Sequence, residues 1–227
     1  MKANIIIIWL IFSFNCLSQN YTKVNKQNND VSFPEYISIF NSIKLPLNIF
    51  CLSDFDKYGD TNWKEVNGKT ILVSNSSCPL IPSNYFKYIK DKYPTGKNYY
   101  YQSVYKKVLK NYVLLIIEQT NKQSGDYFLK LNTFGFTGNF IDTLTIAGQK
   151  IDDYDQFCSI DSSLVIKIRI IKGLSQTQKP GEPSPNIEIN EKYIITDDGH
   201  FKQIFRNQEN GYFRLIKGVW VRVDSKK

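Results

Sequence analysis

From Lys97 to the C-terminus the chain repeats one pattern. A run of alternating apolar and polar residues is followed by a turn signal, about every 8 to 15 residues. "SLVIKIRIIKG" is the cleanest case: Leu164, Ile166, Ile168 and Ile170 fall on one side of an extended chain, while Lys167 and Arg169 fall on the other. "GDYFLKLNTF" sets Tyr127, Leu129 and Leu131 on one face in the same way. "NYYYQSVYKKV" alternates too, and "YVLLIIEQ" is apolar on both faces, as a central strand is. "GNFIDTLTIAG" follows a glycine-rich turn, and "IEINEKYIITDDGHFKQIFR" reads as two strands joined at Asp197-Asp198-Gly199. "GYFRLIKGVWVRVD" supplies one or two more. Connections this short leave little room for the crossover helices of a parallel sheet. The chain is therefore expected to be mainly β: an antiparallel meander built as a sandwich, an open barrel or a propeller-like array. The one long loop, "SQTQKPGEPSPN", is expected to be an exposed excursion.

The N-terminal side breaks the pattern. Ser32 and Glu35 have the S-x-x-E spacing of a capping box, with Pro34 in the first turn. Phe33, Tyr36, Ile37, Phe40 and Ile43 share one helical face, and Pro46 stops the run. This predicts an amphipathic helix over 33–43. "PSNYFKYIKDKYP" predicts a second short helix, capped by Ser83 and ended by Pro94. Two strands are expected between them, near 46–51 and 69–74, the second fed by the turn "VNGKT".

Ahead of these lies an apolar run, Ile5 to Phe14, behind the single charge of Lys2. At about half the 20 residues of a membrane span, it reads as a secretory signal peptide. Cys16 and Ser18 are the small residues that signal peptidase wants, placing cleavage before Gln19. Ser13 and Asn15 do not fit a lipoprotein site, so Cys16 is expected to leave with the leader rather than carry a lipid. The expected organisation is a signal peptide over 1–18, a flexible polar segment over 19–30 and one β-rich domain over 31–227. No transmembrane helix is expected in the mature chain, and export leads to the periplasm or the exterior. There, Cys51, Cys78 and Cys158 form an odd set. Cys51 with Cys78 is the preferred disulfide, three buried thiols are the alternative, and no CxxC spacing occurs.

A formal net charge of +8 points an exported protein toward anionic glycans, lipid headgroups or acidic proteins rather than nucleic acid. The densest cationic stretch runs from Tyr85 to Lys107. Tyr85, Lys87, Tyr88, Lys97, Tyr99, Tyr100, Tyr101 and Lys106 belong to it, and tyrosine faces stack on sugars while lysines attract anions. The competing reading is that alternate tyrosines line the core and the lysines guard a strand edge. Asp152, Asp153, Asp155 and Asp161 offer oxygen ligands for a hard cation such as calcium, without EF-hand spacing; aspartates also simply make turns. No cofactor is expected. The only histidine, His200, sits in a hairpin turn and reads as solvated surface. A carboxylate-dependent hydrolase would draw on Glu118 with Asp142 or Asp152.

The succession "SFPEYISIFNSIKLPLNI", "YVLLIIEQ", "LKLNTFGFTGNFIDTLTI", "SSLVIKIRII", "EKYIITDDGHFKQI" resembles uncharacterised exported proteins of Bacteroidetes-type bacteria, as does the leader ending "LSQN". The resemblance implies export and a β-rich fold, and it carries no catalytic residue over. The leading expectation is a non-enzymatic binding or structural module that contacts glycan or protein. The hydrolase, and an inhibitor or immunity-type protein, are the alternatives.

Overall fold

The alternating runs become strands. The computed structural model describes residues 31–49, 63–66, 69–72, 79–89, 99–121, 123–124, 126–150, 154–173, 183–216 and 219–223. Four short strands come first: β1 (Asn41–Ser42), β2 (Leu47–Ile49), β3 (Trp63–Val66) and β4 (Lys69–Leu72). Next come β5 (Tyr99–Val108), β6 (Val113–Asn121), β7 (Tyr127–Phe134), β8 (Phe140–Lys150) and β9 (Tyr154–Ile160). The series ends with β10 (Ile166–Lys172), β11 (Ser184–Ile195), β12 (Phe201–Ile216) and β13 (Val219–Val223). From β5 to β13 each strand pairs antiparallel with the next, the meander that the turn spacing predicts. β1 joins β5 in parallel, and β2 joins β4 in parallel and β9 antiparallel. The sheet stays open and does not close into a barrel.

The sheet turns a corner between β8 and β9. These strands pair only through Gly148–Lys150 and Tyr154–Gln156. Beyond that point β2 replaces β8, pairing Leu47–Ile49 with Cys158–Ile160. The corner makes two halves, β5–β8 and β9–β13, whose inner faces share one core. Val104, Leu114, Ile116, Leu129 and Leu131 from the first half meet Cys158, Ile160, Ile166 and Ile168 from the second. β6 is buried on both faces, as its sequence predicts. Leu114 and Ile116 enter the shared core, while Val113, Leu115 and Ile117 face a second cluster with Phe33, Tyr36 and Phe40.

That second cluster is roofed by a helix, α1 (Phe33–Ser38). The capping box is present. Glu35 N–H donates to Ser32 Oγ (3.4 Å), and Ser32 N–H donates to Glu35 Oε2 (2.7 Å). The helix is shorter than the expected 33–43, because its sequel pairs with β5 instead. Asn41 and Ser42 lie opposite Tyr105 and Lys106, and Ile43 N–H donates to the Lys106 carbonyl (3.0 Å). Lys106 Nζ in turn donates to the Ile37 carbonyl near the helix end (2.8 Å). The second expected helix is a 3-10 helix over Ser83–Tyr88, preceded by Pro82 without a side-chain cap, so Ser83 is not its cap. Leu164 stands at φ 63° in the turn before β10 and is not part of that strand. β11 begins at Ser184, inside the expected loop of 175–186. Cys158 is a free, buried thiol whose pKa burial pushes up, while Cys16, Cys51 and Cys78 lie outside the described residues.

Candidate functional site

Cross-strand partners share a face, so register shows which side chains meet. On the outer face of the second half three rows run across β9, β10, β11 and β12. The first is Asp155, Ile171, Glu188 and Glu209; the second is Phe157, Arg169, Asn190 and Asn207. The third starts on β2: Asn48, Ser159, Lys167, Lys192 and Phe205.

This face is concave. Trp220 on β13 donates its indole N–H to Asp155 Oδ2 on β9 (2.6 Å), and its carbonyl accepts from Arg169 Nη1 on β10 (3.0 Å). β11 and β12 separate β13 from β10 in the strand order, so the sheet must curl back on itself to make these bonds. Under the curl lies a small core of Ile171, Phe213 and Trp220, with Phe157 packed against it. Gly211 allows the close approach. A Cβ there would stand 3.0 Å from the Phe213 ring and 3.1 Å from Arg222 Nε.

Around that core the charges are paired. Arg169 Nε donates to Glu188 Oε1 at 2.6 Å, with the guanidinium 6.0 Å from the Phe213 ring. Arg222 bonds Glu209, lies 3.9 Å from Glu188 Oε2 and donates to the Asn210 carbonyl (3.2 Å). The Arg222 bond, helped by Asn207, holds the Glu209 carboxyl below its ordinary pKa. Asp155 is only 3% exposed, so its bond to Trp220 answers a carboxylate taken out of water. Next to this network the face opens into a groove of about 280 Å3, lined from β2, β9, β10, β11 and β12. A second hollow of about 600 Å3 lies between Lys172, Asn186, Tyr212 and Arg222.

The residues singled out by sequence have other surroundings. Tyr36 stacks on Tyr88 at 4.9 Å, Tyr85 lies 5.6 Å from Tyr36, and Tyr101 packs edge-on against Phe86 at 5.5 Å. Tyr88 also donates to the Val31 carbonyl (3.0 Å), and Lys87 Nζ sits 5.1 Å from its ring. Tyr101 is 2% exposed, and Tyr99 and Tyr100 are half-buried. Lys106 is committed to Ile37, and Lys97 lies outside the described residues. This half of the stretch is thus largely internal packing between the sheet and its roof.

The aspartates do not gather. Asp155 stands near the start of β9 and Asp161 just past its end, roughly 20 Å apart at 3.3 Å per residue. Asp161 accepts from the amides of Ser163 and Val165, which is a turn bond. Asp152 and Asp153 lie outside the described residues, among which no metal-holding group of acids, cysteines or histidine occurs. Glu118 and Asp142 are separated by two strand spacings and four residues along the strand, roughly 16 Å. Asp142 instead accepts from Phe201 N–H (2.9 Å) and lies 3.6 Å from His200 Nδ1 in the hairpin turn.

Arg169, Glu188, Lys192, Phe205 and Trp220 are the site residues that sequence reasoning missed. The visible signal was the polar side of the β10 alternation, Lys167 and Arg169, which reads as a wet face. Its meaning depends on the register with β11, set across a long connection. No family model, no curated protein and no solved structure matches this chain.

Proposed function

We propose that this is an exported, non-enzymatic binding module of the cell envelope or exterior, belonging with the Bacteroidetes-type exported proteins that its sequence resembles. Its contact surface is the groove on the curled face of β9–β12, and its ligand is a glycan. The observation that carries this reading is a concave surface with cationic and aromatic walls, built on strands and bordered by paired charges. Such a site costs little to order on binding. A glycan array probed with the full chain, beside cell fractionation, tests it. Binding that survives Tyr99→Ala and Tyr100→Ala but is lost on Phe205→Ala is the expected result. A chain that is retained in the cytoplasm, or that binds no glycan, contradicts it.

One observation favours a second reading, a protein partner for an inhibitor or immunity-type module. β12 pairs with β13 only from Tyr212 onward, and Phe201 and Asn210 are engaged by Asp142 and Arg222, so Lys202–Glu209 is an open sheet edge among the described residues, with Ile204 and Phe205 exposed. Open edges accept an added strand. Pull-down from the host envelope with and without Ile204→Lys distinguishes this contact from the groove.

A further inference from the structure

Lys167 on β10 and Lys192 on β11 are direct cross-strand partners. Like charges directly opposite one another in a sheet repel and cost stability. The nearby carboxylates do not relieve this pair. Glu188 is engaged by Arg169 and Arg222, and Glu191 by Arg206 (3.4 Å) and the Tyr193 hydroxyl (2.9 Å). Neither ammonium has a carboxylate partner among the described residues. Both lysines line the groove of about 280 Å3. Lys192 Nζ stands 5.0 Å from the Phe205 ring, and Phe205 is 43% exposed. On the other side of the pair, Ser159 and Asn48 continue the row, and Asn190 lies one row away.

We propose that the Lys167–Lys192 pair is the anion-recognition point of this groove, and that its ligand is an acidic sugar residue bearing a carboxylate or a sulfate. The proposal rests on the binding-module reading and names the ligand class for the same groove. One anion placed between the two ammonium groups turns their repulsion into two charge-assisted hydrogen bonds. An acidic sugar brings the other features that the groove serves: an apolar ring face for Phe205, and hydroxyls for Ser159, Asn48 and Asn190. The volume suits one or two sugar rings rather than a folded partner.

The test is titration calorimetry of the full chain with three probes of equal length: an oligogalacturonate, its methyl ester, and a sulfated neutral oligosaccharide. The acid form or the sulfated form is expected to bind at least about ten-fold tighter than the ester, and which of them does so identifies the anion. Lys167→Gln and Lys192→Gln should each weaken that binding about ten-fold and weaken ester binding by much less. Both lysines are exposed, so the variants keep the core intact. Without ligand, Lys167→Gln is expected to melt higher than the parent, because the opposed charge is gone. No preference for either charged probe over the ester, binding of none of the three beside a positive glycan array, or lysine variants that bind like the parent, overturns the assignment while leaving a sugar-binding module standing. Binding of none of the three, together with a blank glycan array, overturns both.

Discussion

The two halves of the sheet bury their outer faces by different means. The first half, β5–β8, is roofed by α1 and the 3-10 helix, and the joint is filled with rings: Phe33, Tyr36, Tyr88, Tyr101 and Phe134. The second half has no helix over it among the described residues and roofs itself by curling β13 back over β9 and β10. Its joint is a small apolar core edged with paired charges. Ring packing commits these side chains to one another. Charge pairing leaves a polar, concave rim, and the groove lies on that rim. Tyrosine and lysine are thus structural in the first half, while lysine and phenylalanine are left over in the second.

The largest effect is expected where the rings pack. Tyr36 is fully buried and touches five other rings, so Tyr36→Ala should cost about 3–5 kcal/mol, read as a fall in the denaturant midpoint. Its hydroxyl is buried without a hydrogen-bond partner, so Tyr36→Phe should leave stability equal or raise it by ~1 kcal/mol. A large loss in Tyr36→Phe would show that this joint depends on a polar bond after all.

A smaller effect is expected in the second half. Trp220→Phe keeps a ring and removes the N–H donor to Asp155, which should cost about 1.5–3 kcal/mol by chemical denaturation. An unchanged midpoint would mean that the curl of β13 does not depend on this bond.

The halves should also differ in the pH limb that weakens them. The Ser32 amide and hydroxyl hold the exposed Glu35 carboxyl below its ordinary value of 4.5. That contribution is complete above about pH 4.5 and is lost as pH falls through the lower folded value. Glu35→Gln should flatten the acid limb of a stability profile. Burial, and then the bond to Glu191, push Tyr193 up to about 12 from 10.0. Its contribution is complete below pH 10.0 and is lost as pH rises toward 12, so Tyr193→Phe should flatten the alkaline limb.

What was legible in the sequence follows the range of the interactions. The capping box spans three residues and reads directly from Ser32 and Glu35. Strand alternation is equally local, and the meander followed from it. The end of α1 was not legible, because the competing partner of Asn41 and Ser42 is β5, more than sixty residues away. The groove was not legible for the same reason. Lys167 and Lys192 are adjacent only through the β10–β11 register, and Asp155 meets Trp220 only through the curl of the sheet. The tyrosines of 85–101 read equally as a surface patch or as core, because composition does not say which face a ring takes.

Affinity for an acidic oligosaccharide, compared between Lys167→Gln/Lys192→Gln and Tyr99→Ala/Tyr100→Ala, decides which half holds the site. The expected result is binding lost in the lysine variant and kept in the tyrosine variant. Binding kept without the lysines and lost without the tyrosines would move the site to the first half and contradict the account.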